Sequence, residues 1–436
     1  MASLQLDVCL LSPTEPAAQQ AIDATRLLSS GDRDGADRLY RSAAALPAGQ
    51  VSGWNNLAAL GIALGDFQTA YTHAYRAVEM DRAIAAAWVT LGVASWHVGK
   101  RRDAAQCSHR ALELSPGLEA AALNYARMLQ VVNRPQQAQK MLSLAVLANP
   151  DAWRLHQALA ESARLTGDAT TAREHALRAL DRLRPTINPA QAEMRPVEPG
   201  KDADDTAAAA RVRDVLFATH DALGAAGLPF HLIGGTLLAI HRDGRPFPHD
   251  KDIDLALPFD CDRDAVAAAL AGHFKPVLRP DNPNALAAHR DVMGFIHRDT
   301  GLGADLMFLR EQDGMAIFSN GWPDQLGCRM PIYPLQSLQW AGREWQVPAP
   351  PEDYLAAVYG PGWQQPQRYF DTQVSNPSRT PDSLPRAVTL GLLRLLHALQ
   401  AGQWDKARAL CMQLLAREPL AEVQAMLVRL QQAGAA

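Results

Sequence analysis

Residues 231–259, HLIGGTLLAIHRDGRPFPHDKDIDLALPF, contain the pattern that decides the fold of the second half of the chain. A short apolar run enters the glycine turn 234–236 and a helical pattern follows, which predicts a strand, a tight turn and the start of a helix. Seventeen positions after Gly235, Asp252 and Asp254 begin the alternating run DIDLAL. Because side chains alternate along a strand, both carboxylates are predicted to lie on one face.

Two carboxylates on one strand face repel each other and are best explained by a hard divalent cation. Asp252 and Asp254 are therefore predicted to bind Mg²⁺ or Mn²⁺. Asp305, in GADLMFLR, lies on another predicted strand and is a candidate third carboxylate. Gly234 and Gly235 let a phosphate approach the backbone, and the helix that follows favours anions at its first turn. A solvated strand end and an ordinary tight turn are the alternatives for these motifs taken singly.

Two side chains near the acidic pair have a functional and a structural interpretation. Arg242 is a candidate clamp for a phosphate because its guanidinium is planar and presents several donors. A surface ion pair with Asp243 or Asp250 explains Arg242 equally well. His249 is a candidate ligand or base, but a solvated loop histidine is the simpler interpretation.

The stretch GGTLLAIHRDGRPFPHDKDIDLAL resembles the signature of the LicD-type transferases, relatives of fukutin. The matching positions are Gly234, Gly235, Thr236, Leu237, Leu238, Arg242, Pro248, Asp250, Asp252 and Asp254. A second stretch, PAPPEDYLAAVYGPGWQQP, resembles the closing element of the family. Its matching positions are Pro351, Tyr354, Leu355, Tyr359, Gly360 and Trp363. The resemblance covers about 210–370, and its departures at His249 and Lys251 concern the substrate more than the metal.

This resemblance implies a nucleotidyltransferase-like domain of the α/β (α+β) class. It implies a transferase that moves phosphocholine or a polyol phosphate from a CDP-linked, nucleotide-activated donor to a glycan or protein-linked acceptor. The catalytic positions would be Asp252, Asp254 and Asp305, and Asp305 is a candidate base for the acceptor hydroxyl. The substrate-binding positions would be Gly234, Gly235, Thr236, Arg242, Asp250, Tyr359 and Trp363.

The two aromatic residues of this set have two interpretations. Tyr359 and Trp363 either cap a nucleotide or a choline-like cation with their ring faces, or anchor the last helix of the domain in the core. Two other functions also remain open for the chain. One is a nucleotidyltransferase that uses an NTP to modify a protein or a small molecule. The other is a non-enzymatic adaptor whose second domain is degenerate.

The first half of the chain contains a repeat of 34 residues. Two columns of alanine have this spacing: Ala36, Ala70, Ala104, Ala138 and Ala172, and Ala43, Ala77, Ala111, Ala145 and Ala179. A turn column has Gly31, Gly65, Gly99, Asn133 and Gly167. The period and the small residues resemble the tetratricopeptide repeat, so five helical hairpins are predicted over 17–184. A concave face that binds a protein partner or acceptor is the expected role, and a structural spacer is the alternative.

The sequence predicts a multidomain chain: an all-α tetratricopeptide solenoid, an α/β domain and a C-terminal helical hairpin. The proline-rich stretch 185–204 is predicted to be a linker, 205–380 the mixed domain and 387–436 the hairpin. Within the mixed domain, helices are expected over 206–226 and 263–272, and strands near Val277, over 292–297 and over 304–309. Gly402, Ala407 and Pro419 occupy repeat-like positions in the hairpin.

Composition excludes several classes of protein. The chain of 436 residues has a formal net charge of −4, which argues against a protein whose main role is to bind nucleic acid. No apolar run reaches the length of about 20 residues that a membrane helix needs. Five scattered cysteines without a C-x-x-C motif argue against a disulfide framework or a zinc ribbon. A soluble, cytoplasmic protein is expected.

Overall fold

The computed structural model describes residues 6–46, 49–188, 202–277, 291–321 and 324–432. The chain divides into two compact units, Met1–Thr186 and Ile187–Ala436. Most of the predicted linker, 189–201, lies outside the described residues. Among the described residues, no helix combines the length and the apolar character that a membrane span requires.

The described part of the first unit contains ten helices that pair into five hairpins, which confirms the predicted all-α repeat solenoid. The helices are α1 Pro16–Ser29, α2 Arg33–Ala44, α3 Val51–Leu64, α4 Phe67–Met80, α5 Ala85–His97, α6 Arg101–Leu114, α7 Glu119–Val131, α8 Pro135–Ala148, α9 Trp153–Thr166 and α10 Ala169–Leu183. A 3₁₀ turn, Arg184–Thr186, follows α10.

Small residues explain why the two helices of each hairpin approach closely. The alanines of both columns are almost completely inaccessible to solvent. The turn column has left-handed backbone at every position, including Asn133, whose φ is +56°. Glycine and asparagine adopt this conformation at the lowest cost, so the column ends the first helix of each hairpin at the same place.

The second unit is built around a seven-stranded mixed sheet. Its strands are β1 His231–Leu232, β2 Asp252–Pro258, β3 Phe274–Pro276, β4 Val292–His297, β5 Gly303–Gln312, β6 Met315–Asn320 and β7 Leu326–Pro331. The order is β1-β2-β5-β4-β3, and β6 and β7 continue from the far half of β5. A separate hairpin joins β8 Leu335–Trp340 to β9 Arg343–Pro348.

Eight described helices accompany these strands. They are α11 Asp202–Ala225, α12 Gly234–Asp243, α13 Arg263–Leu270, α14 Pro351–Tyr359, α15 Thr372–Ser375, α16 Leu384–Gln400, α17 Trp404–Arg417 and α18 Ala421–Gln431. The central strands β2 and β5 are the only parallel pair among the described strands. Both carry apolar residues on the face turned to the core, where Leu255, Phe308 and Trp345 are buried. This arrangement confirms the predicted mixed domain.

Some boundaries differ from the sequence prediction. The helix α11 begins at Asp202, inside the stretch predicted to be linker, because an Ala-rich sequence extends the helix toward its N-terminus. The helix α13 ends at Leu270 rather than at 272, and β3 ends at Pro276, one residue before Val277. The C-terminal hairpin turns at Gly402, as predicted, but a third helix, α18, packs onto it.

Candidate active site

The acidic residues lie at the beginning of two adjacent parallel strands, β2 and β5. The register places Asp254 beside Asp305 and Asp252 beside Gly303. Residues in register share a face of the sheet, and Asp252 is two positions before Asp254, so all three carboxylates lie on one face. Gly303 leaves room for Asp252, because a Cβ on Gly303 would lie 2.9 Å from the Asp252 Cβ.

The glycine turn packs directly against Asp254. The Gly235 N–H donates to Asp254 Oδ2 at 2.9 Å, and the Thr236 hydroxyl accepts from the Asp254 N–H at 2.8 Å. Gly234 has a φ of +56°, and its N–H donates to the Tyr354 hydroxyl at 3.1 Å. A Cβ on Gly234 would lie 2.5 Å from Asp254 Oδ2. The turn therefore needs glycine so that the carboxylate of Asp254 can reach the first turn of α12.

Burial and mutual repulsion raise the pKa values of these aspartates. Burial raises the pKa of Asp254 well above its ordinary value, and the charges of Asp252 and Asp305 add to the effect. Burial and the charge of Asp252 raise the pKa of Asp305 to about 6 and that of Asp250 to about 7. Burial also raises the pKa of Asp252, although the charge of Lys251 opposes this. The cluster is thus a concentration of negative charge in which Asp252 is exposed to solvent and Asp254 and Asp305 are partly exposed.

The protein supplies little positive charge to this cluster. Within the described ranges, no basic side chain forms an ion pair with Asp252, Asp254 or Asp305. In the same ranges, no group of three His, Cys, Asp or Glu side chains lies close enough together to hold a metal ion by itself. Any ion held by this cluster would therefore take further ligands from water or from substrate oxygens, as Mg²⁺ commonly does.

A cleft of about 860 Å³ opens beside the three carboxylates. Tyr354 and Tyr359 line it next to the glycine turn. Neutral polar side chains also line it: Ser319, Asn320, Gln325, Thr372, Gln373 and Asn376. The volume lies within the range of about 300–1,000 Å³ that is usual for small-molecule sites.

Some of the other predicted site residues lie outside the cleft. Asp250 and Arg242 are not among the described residues that line the cleft, and neither is Trp363. The Arg242 guanidinium donates to both carboxylate oxygens of Asp243, at 2.8 and 3.0 Å, and lies 5.1 Å from the centre of the Phe247 ring.

Trp363 is buried in the hydrophobic core of the unit, and its carbonyl accepts a 3.4 Å hydrogen bond from Arg242. Tyr359, in contrast, faces the cleft, with its hydroxyl 3.9 Å from the position of a Cβ on Gly235. Of the two aromatic candidates, the cleft thus includes Tyr359 and leaves Trp363 in the core.

The cleft also contains a charged pair that sequence reasoning missed. Arg310 donates to both carboxylate oxygens of Asp291, at 2.8 and 2.9 Å, and Asp291 accepts two further hydrogen bonds from Ser319. Asp291 is buried, but the Arg310 side chain is 42% exposed and faces the cleft. Strand alternation from Asp305 does not predict this position, because β5 leaves β4 and joins β6 before Arg310.

A second missed residue orients the amides at the far end of the cleft. Arg379 is buried and donates to Asn320 Oδ1 at 2.8 Å and to Gln373 Oε1 at 2.9 Å. Both amides line the cleft. Arg379 comes 74 positions after Asp305 and lies outside every quoted motif, so no local pattern connects it with the site.

Comparison with known proteins identifies the part of the chain that carries the three aspartates of the cleft. Residues 227–350 match the family model described as LicD/FKTN/FKRP, nucleotidyltransferase domain. The match confirms the resemblance seen in the sequence and indicates a transferase family. No curated protein matches the chain.

Solved structures similar to the chain include several proteins with tetratricopeptide repeats. MamA from Desulfovibrio magneticus RS-1 is 17% identical, with 40% of this chain and 100% of that chain covered and a TM-score of 0.32. TTC0263, a thermophilic repeat protein of Thermus thermophilus, is 18% identical, with coverages of 38% and 91% and a TM-score of 0.33.

Proposed function

From the LicD-type domain at residues 227–350 and its acidic cleft, we propose that the protein is a metal-dependent transferase. It moves a phospho-alcohol group, such as phosphocholine or a polyol phosphate, from a CDP-linked donor to a hydroxyl group of a glycan or a protein-linked acceptor. The observation that carries this proposal is the group of three aspartates on β2 and β5, which the protein leaves without an ion-pair partner among the described residues.

The donor set fits Mg²⁺ or Mn²⁺. Asp252 and Asp254 would hold the ion, because they are hard oxygen ligands whose charges repel each other on one strand face. When bound, the ion neutralises charge on the donor phosphates and on the leaving nucleotide. The Gly235 N–H keeps one oxygen of Asp254 fixed through its 2.9 Å hydrogen bond. This leaves the other oxygen of that carboxylate for a ligand.

The third carboxylate has a different role in the proposed reaction. The acceptor oxygen bonds to the phosphorus that carries the alcohol, and the bond from that phosphorus to the bridging oxygen breaks, so that CMP leaves. Asp305 accepts the proton of the acceptor hydroxyl. Asp305 suits this role because burial and the charge of Asp252 raise its pKa above that of an ordinary aspartate, which makes it a stronger base.

The rest of the cleft provides contacts for the donor and the acceptor. Tyr359 lies beside the glycine turn, where its ring is available to a base or a choline-like cation. Arg310 brings a partly exposed guanidinium to the cleft. The repeat unit is proposed to bind a protein partner or the acceptor, since an array of helical hairpins presents an extended binding surface.

Calorimetric titration of the full chain tests the proposed donor. CDP-choline, CDP-ribitol, CDP-glycerol, ATP and UTP are each titrated with Mg²⁺ and with EDTA. We expect one of the CDP-linked compounds to bind at least about tenfold more tightly than either NTP, and only with Mg²⁺. Tighter binding of ATP or UTP would favour a nucleotidyltransferase that uses an NTP, and binding of none of the five would favour a non-enzymatic adaptor.

A further inference from the structure

The segment 6–14, which precedes α1, lies along the repeat unit and is held by helices far away in the sequence. Residues 6–13 form no helix or strand. Their backbone is hydrogen-bonded to side chains of α3, α5 and α7, which lie between 38 and 117 positions away in the sequence. The contacts are the same ones that a bound peptide would make with a groove.

Two asparagines clamp the backbone of this segment in the same way. Asn124 accepts from the Asp7 N–H at 2.7 Å and donates to the Asp7 carbonyl at 2.6 Å. Asn56 accepts from the Leu11 N–H and donates to the Leu11 carbonyl, both at 2.8 Å. Between them, Asn55 donates to the carbonyl of Cys9 at 2.7 Å. Alternate residues of the segment, at positions 7, 9 and 11, are therefore bound by side chains of α7 and α3.

The clamping side chains follow the repeat period. Asn56, Thr90 and Asn124 are 34 residues apart, and they occupy the same position on the first helices α3, α5 and α7. Thr90, at the middle position, places its hydroxyl 3.5 Å from the Cys9 carbonyl. The alanine columns have the same period but pack helix against helix, whereas this polar column faces the segment. Its period shows that the groove is a property of the repeat array.

A carboxylate at one end of the segment is recognised by two arginines. Asp7 Oδ2 lies 2.6 Å from Arg154 Nη2, and Asp7 Oδ1 lies 3.5 Å from Arg127 Nη1. The three side chains are only 25–36% exposed, so solvent screens this interaction less than at an open surface. Backbone clamps accept any sequence, whereas this pair of arginines selects a carboxylate at one position.

The burial of the amides shows that they require hydrogen-bond partners in the groove. Asn55 and Asn56 are fully buried, and Asn124 is 1% exposed. With residues 7–11 in place these amides are shielded from water, and a shielded amide that loses a hydrogen-bond partner destabilises the structure. Packing of the helices does not require amides here, since the alanine columns already close the hairpins. The amides need a strand-like backbone against them, and residues 7–11 supply it.

We propose that α3, α5, α7 and α9 form a peptide-binding groove, and that residues 7–11 of the chain are its resident ligand. The groove reads the backbone through Asn56 and Asn124 and one aspartate through Arg127 and Arg154. A partner segment that is extended and carries an aspartate in the place of Asp7 binds there by displacing residues 7–11. The proposal concerns the repeat unit alone and does not depend on the transfer reaction.

Fluorescence polarisation with a labelled peptide tests this proposal on the full chain. The probe is LDVSLLSPT, which is residues 6–14 with Cys9→Ser. Asp7→Lys places a positive charge against Arg127 and Arg154 and releases the resident segment. We expect this variant to bind the probe at least about tenfold more tightly than the wild-type chain does. The matched control is Asp23→Lys, which makes the same charge change at an exposed position of α1 and leaves probe binding as in the wild type.

Two further arms keep the result interpretable. In the Asp7→Lys background, Asn124→Ala is expected to weaken probe binding at least tenfold. A probe with Lys in place of its Asp is expected not to bind, and this arm needs no further change in the protein. Equal probe binding by the wild-type and Asp7→Lys chains would overturn the proposal. A concentration-dependent dimer of the wild-type chain with no probe binding in the variant would assign the groove to the segment of a second copy and would also overturn it.

Discussion

The polar groups of the repeat groove and those of the acidic cleft are satisfied in opposite ways. In the groove, buried neutral amides are paired with the backbone of residues 7–11 of the same chain. In the cleft, burial and the charge of Asp252 raise the pKa values of Asp254 and Asp305, and among the described residues no basic side chain forms an ion pair with these three aspartates. A neutral site can be completed by the chain itself, whereas a like-charged site depends on a ligand of opposite charge. The comparison thus separates a site with a resident ligand from one that needs an external ligand.

Asp254→Asn replaces a carboxylate of the cleft with a neutral amide, the kind of side chain that lines the groove. The new amide oxygen can still accept the Gly235 N–H, so the melting temperature is expected to stay the same or to rise. Transfer activity is expected to fall by more than about 100-fold. Even the loss of a residue that only hydrogen-bonds to a metal ligand lowers metal affinity or activity by about 10–100-fold. Activity assays with Mg²⁺ measure the effect on catalysis, and thermal unfolding in EDTA, where no ion stabilises the wild type, measures the effect on stability.

The control for this variant is Asp260→Asn, which removes one charge at an exposed position just after β2. It is expected to leave both activity and melting temperature unchanged. If Asp254→Asn kept its activity, the carboxylate cluster would not be the reactive centre.

The repeats could be predicted from the sequence because their signal is local. Small residues at a fixed period determine how neighbouring helices pack, and each repeat contacts mainly its neighbours. The polar column of Asn56, Thr90 and Asn124 has the same period and was visible in the sequence. Its role became clear only when the segment 6–14 was seen against it.

Only part of the cleft could be predicted in the same way. Strand alternation placed Asp252 and Asp254 on one face, and the strand containing Asp305 was recognised. The contributions of Arg310 and Arg379 depend on how β5 changes partners and on how a late loop folds back. Such contacts are set by tertiary structure, and a single sequence does not encode them in a readable spacing.

His231 is expected to lower the stability of the second unit in acid, whereas the aspartates with raised pKa values act in the opposite direction. Burial lowers the pKa of His231 from 6.5 to about 4. The unfolded chain therefore takes up a proton near pH 6.5 that the folded chain takes up only near pH 4, so stability falls as the pH decreases through this window. The loss amounts to about 3 kcal/mol at pH 4.

Denaturant unfolding of the wild-type chain and of His231→Asn at pH 7.5 and pH 4 measures this effect. The variant is expected to lose about 3 kcal/mol less than the wild type between the two values. The exposed His273 provides the matched substitution, His273→Asn, which should behave as the wild type does. An equal loss in all three chains would mean that other groups cause the acid sensitivity.

Gly234→Ala probes the close approach between the glycine turn and Asp254. The new Cβ would lie 2.5 Å from Asp254 Oδ2, and the residue would have to keep a φ of +56°. We expect the free energy of unfolding to fall by about 1–3 kcal/mol, the usual cost of such backbone strain. Gly224→Ala is the control, since that glycine lies in α11 with open space around it. A variant as stable as the control would show that the turn does not depend on glycine.

Tyr354→Phe is expected to have the smallest effect of this series. It removes the hydroxyl that accepts the Gly234 N–H at 3.1 Å, so that N–H loses its partner and stability falls by about 1 kcal/mol. Tyr333→Phe removes an exposed hydroxyl that donates to the Asp353 carbonyl at 3.2 Å, and it should cost less. Chemical denaturation of both variants gives the comparison. A larger loss for Tyr333→Phe would contradict the importance of the Gly234 contact.

Mn²⁺ titration followed by electron paramagnetic resonance tests most directly whether Asp252 and Asp254 bind a divalent cation. The free-ion signal shows how much Mn²⁺ the full chain removes from solution. We expect a bound ion in the wild-type and Asp260→Asn chains that is lost in Asp252→Asn and Asp254→Asn, while both of these variants remain folded by circular dichroism. Unchanged Mn²⁺ binding in Asp254→Asn would contradict it.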